Sequence, residues 1–373
     1  MTKAYPLLLL SVYTLHQSYT DAFAAPKTGS GGGFGKPKSA PLIYTPDVTP
    51  KTQSLLQFLN SQGSRLSNVE IGTQISTNMR GIYATKAVKA EEILCQIPSD
   101  CALALSDPSS KTSVDDSKVS TFGLNFLQMY ANDPKAREVW KPYLDALPTP
   151  ESDFSPTPDF YDDADIGLLE FPRLVNAAND RKAEITALAS KIGMDVDELR
   201  FATWLTTSRS FLITIAAAID PNAPLDDLGR AIAPPTNEQQ KVRVLVPFID
   251  MTNHSSDQPN AKLTLLDPEK DDAWFALEAT RPIAKGKEIT IAYGSGIESS
   301  VELLMNYGFT PYTNKIDEFM LTKGGSKGEH GSVEGGLSGW KTSLEQDEKI
   351  LAGCVGDPVL ETIMRIQMKK SYV

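Results

Sequence analysis

The stretch Val246-Pro-Phe-Ile-Asp-Met-Thr-Asn-His-Ser255 decides the fold of this 373-residue chain. It begins as an apolar run that ends at Asp250, and it continues to two adjacent hydrogen-bonding side chains, Asn253 and His254. A change from apolar to polar residues predicts a strand that fixes the backbone and a turn that presents donors and acceptors to a ligand. We therefore expect a functional site where this strand leaves its sheet.

Short stretches upstream and downstream form one ordered set of motifs with this central stretch. Downstream, Ile289-Thr-Ile-Ala-Tyr-Gly294 predicts a strand, and Leu303-Leu-Met-Asn-Tyr-Gly-Phe309 predicts a short helix over residues 301–306 with Gly308 as its C-cap. The upstream stretches are Arg80-Gly-Ile-Tyr-Ala84, Ala90-Glu-Glu-Ile-Leu94 and Ser208-Arg209-Ser-Phe211. Each stretch alone is a weak motif, whereas all of them in this order are fairly specific.

Together these stretches resemble the SET-domain methyltransferases, and more closely the branch of the Rubisco large-subunit lysine methyltransferase. The resemblance covers residues 50–312. It implies an α+β fold, in which a β-core of short antiparallel strands is split by a helical insert at residues 118–235. Residues 313–373 form a short extension with a Gly-rich loop at residues 324–339 and one helix, in place of the longer helical lobe that holds the protein substrate in the family.

The resemblance also implies a reaction, the transfer of a methyl group from S-adenosyl-L-methionine to a lysine ε-amine of a protein substrate. Tyr293 is then the catalytic residue, with its hydroxyl directed at the transferring methyl group. The cofactor-binding positions of the family fall on Asn78, Met79, Arg80, Gly81, Ser208, Asn253, His254, Tyr307 and Phe309. The substrate-binding positions fall on Arg209, Asp250 and Tyr307.

Two of these residues also have structural explanations. Ser208 shares a helical stripe with apolar residues, so its hydroxyl either contacts a ligand or bonds to its own helix backbone. His254 is either a cofactor contact or a hydrogen-bonded structural histidine. An aromatic residue that the family places in the lysine channel shortly after Asn-His is absent from residues 255–266. The methylation state of the product and the target residue therefore stay open.

Two alternative functions follow from the same resemblance. Relatives of this branch also methylate histidine, so one alternative is a protein-histidine N-methyltransferase. The other is a catalytically inactive SET-fold module that only binds a partner protein, which the short extension and the missing channel aromatic favour.

The charge of the chain argues against a nucleic-acid partner. The formal net charge is -11, and residues 1–40 contain four lysines against one aspartate, so the remainder carries -14. Phosphate groups should repel such a surface. The three cysteines, Cys95, Cys101 and Cys354, lack metal-ligand spacing and cannot form a disulfide framework. We therefore expect no metal site, and a monomer that acts on a protein substrate.

The N-terminus has the composition of a two-part targeting leader. Residues 1–22 combine an early lysine, a short apolar run and small residues, as in a secretory signal peptide. Residues 23–48 are rich in Gly, Ser, Pro and Lys, as in a transit peptide. The apolar run is too short for a stable membrane anchor. We expect import into the plastid of an alga with secondary plastids and no membrane association of the mature form, with ordinary secretion as the alternative.

Hydrophobic periodicity predicts the remaining elements. Folded structure is expected from Pro50, with a helix over residues 54–59 that Gly63 stops. Helices are also expected near residues 168–176, 181–192, 195–218 and 358–370. Strands are expected near residues 69–75, 82–84, 93–97, 242–248, 261–266, 273–279 and 288–292, with a hairpin turn at residues 267–272.

Overall fold

The computed structural model describes residues 43–106, 118–152, 154–215, 240–267, 273–294, 296–317 and 343–370. The predicted signal peptide, nearly all of the transit-like segment and the predicted Gly-rich loop lie outside the described residues. Within them, helices are combined with short, mostly antiparallel strands, and the predicted α+β class is confirmed.

The strands meet in three sheets within the described part of the chain. In chain order they are β1 Tyr44–Pro46, β2 Arg65–Leu66, β3 Val69–Gln74, β4 Arg80–Ala84, β5 Ile93–Pro98, β6 Leu103–Ala104, β7 Phe211–Ile215, β8 Gln240–Leu245, β9 Asn253–His254, β10 Ala261–Leu266, β11 Trp274–Ala279 and β12 Glu288–Ile291. The sheet orders are β1-β3-β4-β12-β9, β10-β11-β5-β2 and β6-β8-β7. Strand β12 lies between β4 and β9, antiparallel to β4 and parallel to β9. Early and late parts of the chain therefore meet on β12.

The helices lie mainly in the insert and at the C-terminal end. In chain order they are α1 Pro50–Ser61, α2 Val119–Phe126, α3 Pro134–Leu144, α4 Asp163–Leu168, α5 Pro172–Ile192, α6 Val196–Arg209, α7 Ser300–Tyr307, α8 Leu344–Gly353 and α9 Pro358–Lys370. No helix within the described residues is long and apolar enough to cross a membrane.

Local sequence explains where several helices begin and end. The Thr49 side chain accepts from the backbone of Thr52 and caps α1, which has Pro50 at its first position. Ser299 and Glu302 form a capping box at the start of α7. Gly308 ends α7 with a φ of 78°, a left-handed conformation that glycine adopts without a side-chain penalty. The predicted helix at residues 301–306 and its glycine cap are confirmed.

Four expectations about individual elements need correction. Folded structure begins before Pro50, because β1 pairs with β3 and its Tyr44 is buried. The two helices expected at residues 168–176 and 181–192 are one continuous helix, α5, and α4 precedes it at Asp163–Leu168. The helix expected over residues 195–218 ends at Arg209, and β7 follows it. Helix α8 was not predicted at all.

Two apolar cores hold these elements together. The larger core joins the sheets to α1 and to the insert helices α2, α3, α5 and α6. The smaller core lies between α4, α5, α7 and α9, and its most buried members include Leu174, Leu304, Ile363 and Ile366. Burial of a large apolar side chain stabilises a fold by about 1.5–3 kcal/mol. The C-terminal helix α9 therefore braces α7 and the insert.

Candidate active site

Asn253 and His254 lie on β9, at the edge of the five-stranded sheet. Their parallel partners on β12 are Thr290 and Ile291. The Asn253 side-chain amide donates to the main-chain carbonyl of Arg80 at 2.9 Å and to Glu288 Oε1 at 2.7 Å. The central stretch and the Arg80-Gly81 stretch, 173 residues apart, are thus joined by one side chain.

Gly81 makes room for this junction. A Cβ atom at this position would lie 2.6 Å from Glu288 Oε1 and 2.8 Å from Asn253 Nδ2. Burial raises the pKa of Glu288, and the hydrogen bond from Asn253 acts in the opposite direction. Any larger residue at position 81 must therefore displace a half-buried carboxylate or its amide partner.

His254 is held in one tautomer by its neighbours. The Tyr293 backbone N–H donates to His254 Nδ1 at 2.9 Å, so the ring proton is on Nε2, which lies 2.8 Å from Ser256 Oγ. Burial lowers the pKa of His254 to about 4. The imidazole is therefore neutral at pH 7 and both of its nitrogens are occupied, as expected for a structural histidine.

Four rings form an aromatic cluster, which we define as His254, Tyr293, Tyr307 and Phe309. The Tyr293 and Tyr307 ring centroids are 4.6 Å apart, and the His254 centroid lies 5.1 Å from Tyr293 and 5.8 Å from Phe309. All four side chains are half-buried, so each keeps part of its surface accessible. Such a cluster can enclose a flat or cationic ligand group.

A main-chain carbonyl orients the Tyr293 hydroxyl within the cluster. The hydroxyl donates to the main-chain carbonyl of Thr252 at 2.9 Å, which leaves its oxygen free to accept. Burial raises the pKa of Tyr293 well above its usual range. The phenol is therefore protonated at pH 7 and can position a group but cannot act as a base.

Tyr307 and Phe309 are presented by the turn that follows α7. Gly308 lies so close to residues 155–156 that a Cβ atom there would be 2.1 Å from the Ser155 carbonyl oxygen. Burial raises the pKa of Tyr307 to about 12, so this hydroxyl is also protonated at pH 7. The position of the turn thus depends on a loop of the insert, at residues 154–160.

Asp250 is not exposed to a substrate, contrary to the expected substrate-binding role. Its side chain is 0% exposed, and the Tyr143 hydroxyl donates to Oδ2 at 2.8 Å. Arg209 Nη1 lies 3.8 Å from the same oxygen and donates to the Asp250 main-chain carbonyl at 3.2 Å. Burial raises the pKa of Asp250, whereas Arg209 acts to lower it. Asp250 therefore anchors Arg209, whose side chain is 24% exposed and can still reach a ligand.

The family sequence model described as "SET domain" matches residues 79–294, which is more than half of the chain. The chain belongs to the SET-domain family. A search of curated protein sequences found no match.

Solved SET-domain structures show the same fold as this chain. One is described as the SET domain of LSMT bound to lysine and AdoHcy, with 16% sequence identity, a TM-score of 0.59, and coverage of 88% of this chain and 90% of that chain. Rubisco LSMT bound to AdoMet matches with 14% identity, a TM-score of 0.59, and coverage of 87% and 90%. Rubisco LSMT bound to sinefungin and monomethyllysine matches with 15% identity, a TM-score of 0.56, and coverage of 87% and 90%. At these identities the likeness establishes the fold alone.

Ser208 and Arg80, two of the expected cofactor-binding residues of this SET domain, use their side chains for contacts within the protein. The Ser208 hydroxyl lies 3.5 Å from the Leu205 carbonyl, as in a serine that bonds to its own helix backbone. The Arg80 guanidinium is directed away from Asn253, to Asp47, Thr52 and the carbonyl of Ala146. At this position the main chain, and not the guanidinium, is therefore available to the site.

Asn78 and Met79 lie at the exposed end of the β3–β4 hairpin. Asn78 has a φ of 56°, which asparagine tolerates better than most residues, and the Met79 side chain is 52% exposed. Neither packs into the protein core, so both remain accessible to a ligand.

The approach to the SET-domain site contains a strained residue. Phe248 is fully buried and adopts φ 72° and ψ -52°, the geometry of a rare and strained γ-turn. Such conformations cost about 1–3 kcal/mol and persist where surrounding packing enforces them. Phe248 directs the chain from the end of the apolar run into the turn that contains Asp250.

Three residues of the SET-domain site were not singled out from the sequence. Thr252 lies inside the central stretch and Glu288 immediately precedes the Ile289 stretch, so their closeness to Asn253 and to the Ile289 strand could have identified them. Tyr143 had no such marker, because it joins Asp250 from 107 residues away.

Proposed function

We propose that this SET-domain protein transfers a methyl group from S-adenosylmethionine to the ε-amine of a lysine in a protein substrate. The observation that carries the proposal is the Tyr293 hydroxyl, fixed by the Thr252 carbonyl inside the aromatic cluster. The descriptions of the structural neighbours support it, because one of those proteins is bound to lysine and AdoHcy, one to sinefungin and monomethyllysine, and one to AdoMet.

The residues present fit S-adenosylmethionine, the cofactor of SET methyltransferases. Immediately after β9, the Ser255 N–H bonds to the Ile291 carbonyl, so the alternating pattern of the strand turns the His254 N–H and C=O away from β12. A purine edge needs such a donor and acceptor, and the Phe309 ring beside them offers a stacking surface. The accessible backbone at residues 78–81 suits the polar amino-acid end of the cofactor.

The chain's own residues mainly position the reacting groups. When bound, S-adenosylmethionine supplies a methyl group that is already activated for transfer. Tyr293 keeps its proton, which it donates to the Thr252 carbonyl, and offers its oxygen as an acceptor to the incoming amine. Neither Tyr293 nor His254 is suited to remove the lysine proton. Exclusion of water from the half-buried site would instead disfavour the charged ammonium, which lowers the pKa of the substrate lysine and releases its proton to water.

The proposal is tested by comparing Tyr293→Phe with Asn253→Ala. Tyr293→Phe keeps the ring and removes one polar contact made to the reacting groups, so kcat should fall by about 100-fold, or about 3 kcal/mol, with little change in cofactor affinity. Asn253→Ala should first weaken cofactor binding, because it loosens the junction with Arg80 in ground and transition states alike. The measurements are calorimetric binding of S-adenosylmethionine and single-turnover methyl transfer to an extracted protein fraction.

Three results would contradict the proposal. A Tyr293→Phe rate within about twofold of wild type would make Tyr293 a structural tyrosine. Mass spectrometry that locates the mark on histidine alone would replace lysine methylation with histidine methylation. Cofactor binding without transfer to any protein fraction would leave only the binding-module alternative.

We also propose that the leader directs the protein to a plastid. This proposal rests on the composition of residues 1–48, in which a signal-peptide-like segment meets a transit-peptide-like segment at Phe23. A fusion of residues 1–45 to a fluorescent protein should enter the plastid, and Phe23→Ala should divert it to an earlier secretory compartment. Fluorescence of the intact fusion in the medium or the cytosol would contradict this proposal.

A further inference from the structure

Arg181, in the middle of α5, lies against the last turn of α7. Its guanidinium donates to the Met305 carbonyl through Nη1 and to Asn306 Oδ1 at 3.0 Å through Nη2. The last carbonyls of a helix have no partner within it, and a cation at that end is favourable. The helical insert is therefore joined to the residues that immediately precede Tyr307 and Phe309.

Asp159 forms an ion pair with the Arg181 guanidinium. Its carboxylate lies 3.9 Å from Arg181 Nη1, and the two side chains are only 1% and 14% exposed. Asp159 belongs to the insert loop at residues 154–160, whose Ser155 carbonyl packs on Gly308. Trp204 of α6 donates to the same carbonyl at 2.9 Å. The loop is thus fixed by α6 and in turn restrains both Arg181 and the glycine that ends α7.

These contacts decide where the two rings lie. The Gly308 N–H still bonds to the Leu304 carbonyl, but beyond it the helical hydrogen bonds end, and the left-handed glycine alone does not orient Phe309. The planar, two-donor guanidinium fixes a direction that a single ammonium does not. A shift of the Met305–Asn306 backbone would move Tyr307 relative to Tyr293, whose ring centroid is 4.6 Å away.

We infer that Arg181 is a positioning residue, through which the insert sets the orientation of Tyr307 and Phe309 in the methyl-transfer site. This inference rests on the proposed function. Arg181 acts through the end of α7, because its guanidinium reaches the Met305 carbonyl, the Asn306 side chain and Asp159.

The test compares three variants of the full chain by calorimetric titration with S-adenosylmethionine, thermal unfolding and single-turnover methyl transfer. Arg181→Met should raise the dissociation constant of S-adenosylmethionine at least tenfold, and Arg181→Lys should recover part of that loss. Lys182→Met is the matched control, because Lys182 follows on the same helix and bonds to the Tyr161 carbonyl and Asp163 but not to α7. Its dissociation constant should stay within about twofold of wild type.

A double variant separates positioning from the cost of a buried unpaired charge. Arg181→Met alone leaves Asp159 without its cation, and Asp159→Asn with Arg181→Met removes both charges. The double variant should regain thermal stability and keep the weak cofactor binding, and it carries the test where Arg181→Met alone fails to fold. Recovered affinity in the double variant, wild-type affinity in Arg181→Met, or an equal loss in Lys182→Met would each overturn the inference. A wild-type chain that does not bind S-adenosylmethionine would overturn the proposed function itself.

Discussion

The two sides of the candidate active site are built in different ways. On the strand side, Asn253 and His254 are fixed by pairing of β9 with β12, and neighbouring backbone groups satisfy their side chains. On the turn side, Tyr307 and Phe309 follow a helix end whose position depends on Arg181 and Ser155 of the insert. The difference teaches that the sheet orders one side of the site, while the insert orders the other.

Gly308→Ala should have the largest effect, because it breaks the turn side directly. The new Cβ would lie 2.1 Å from a carbonyl oxygen, and the backbone has a φ of 78°. We expect the free energy of unfolding to fall by about 3 kcal/mol or more. We also expect the affinity for the cofactor to fall. The measurement is denaturant unfolding beside calorimetry.

Gly193→Ala is the matched control for this change. Gly193 ends α5 with a similar φ of 70° but has no atom within 4 Å of the position of a new Cβ. Only the left-handed backbone is penalised there, so the expected loss is about 1 kcal/mol. Equal losses in the two variants would show that packing on the insert loop does not hold the turn.

Tyr143→Phe should cause the next largest loss of stability. It tests whether the insert also supports the strand side of the site. It removes the Tyr143 hydroxyl donor from the buried Asp250 carboxylate, whose Oδ2 lies 3.8 Å from Arg209 Nη1. We expect a loss of about 2 kcal/mol, since an unsatisfied buried charge is costly. Tyr130→Phe, which removes a hydrogen bond to the neutral Ala104 carbonyl, should cost about 1 kcal/mol. If Tyr130→Phe proves the more destabilising change in chemical unfolding, the charge on Asp250 is not what Tyr143 stabilises.

Gly81→Ala tests the strand side itself and should cost about 1–2 kcal/mol. The new Cβ meets the ends of the Glu288 and Asn253 side chains, which can move further than a backbone carbonyl can. We expect a tenfold weaker binding of S-adenosylmethionine. Gly167→Ala, in α4 and without close neighbours, should leave both stability and binding nearly unchanged. Unaltered cofactor binding by Gly81→Ala would separate the Asn253 junction from the cofactor site.

The smallest expected effect is a dependence of stability on pH that comes from His254. Its pKa is about 4 in the folded protein against an ordinary value of 6.5, so the unfolded chain binds the extra proton first. Stability from this residue is complete above pH 6.5 and falls by about 1–2 kcal/mol between pH 6.5 and 4, allowing for its partial exposure. His254→Asn keeps an acceptor for the Tyr293 N–H and should remove this slope. Parallel unfolding curves of the two proteins across that range would refute the assignment.

Local patterns predicted the elements that have one dominant period or an unambiguous cap. Strand β10 and helix α9 have the bounds that the sequence predicted, and Gly308 ends α7 as expected. The apolar run at residues 211–215 suits a helix or a strand by periodicity, and pairing with β8 decides for a strand. Its β-branched residues favour that outcome.

The site was predictable where the family motif covers it and unpredictable where distant side chains complete it. His254, Tyr293, Tyr307 and Phe309 lie together in the aromatic cluster, and Asn253 precedes His254 on β9. Their roles in cofactor binding and methyl transfer stay predictions. The burial of Asp250 was not foreseen, because its partner Tyr143 lies on an insert helix with no pattern that points to the motif. Sequence spacing specifies local geometry, whereas contacts across more than a hundred residues depend on how helices pack.

The bond from Asn253 to the Arg80 carbonyl has a consequence for how the protein acquires activity during synthesis. It closes a loop of 173 residues, and contacts so distant along a chain carry a large entropy cost and form slowly. The aromatic rings after α7 are translated later still. A nascent chain can therefore fold its first strands and insert helices without possessing a competent site, and the proposed methyl transfer can begin only once residues near 309 have emerged and docked.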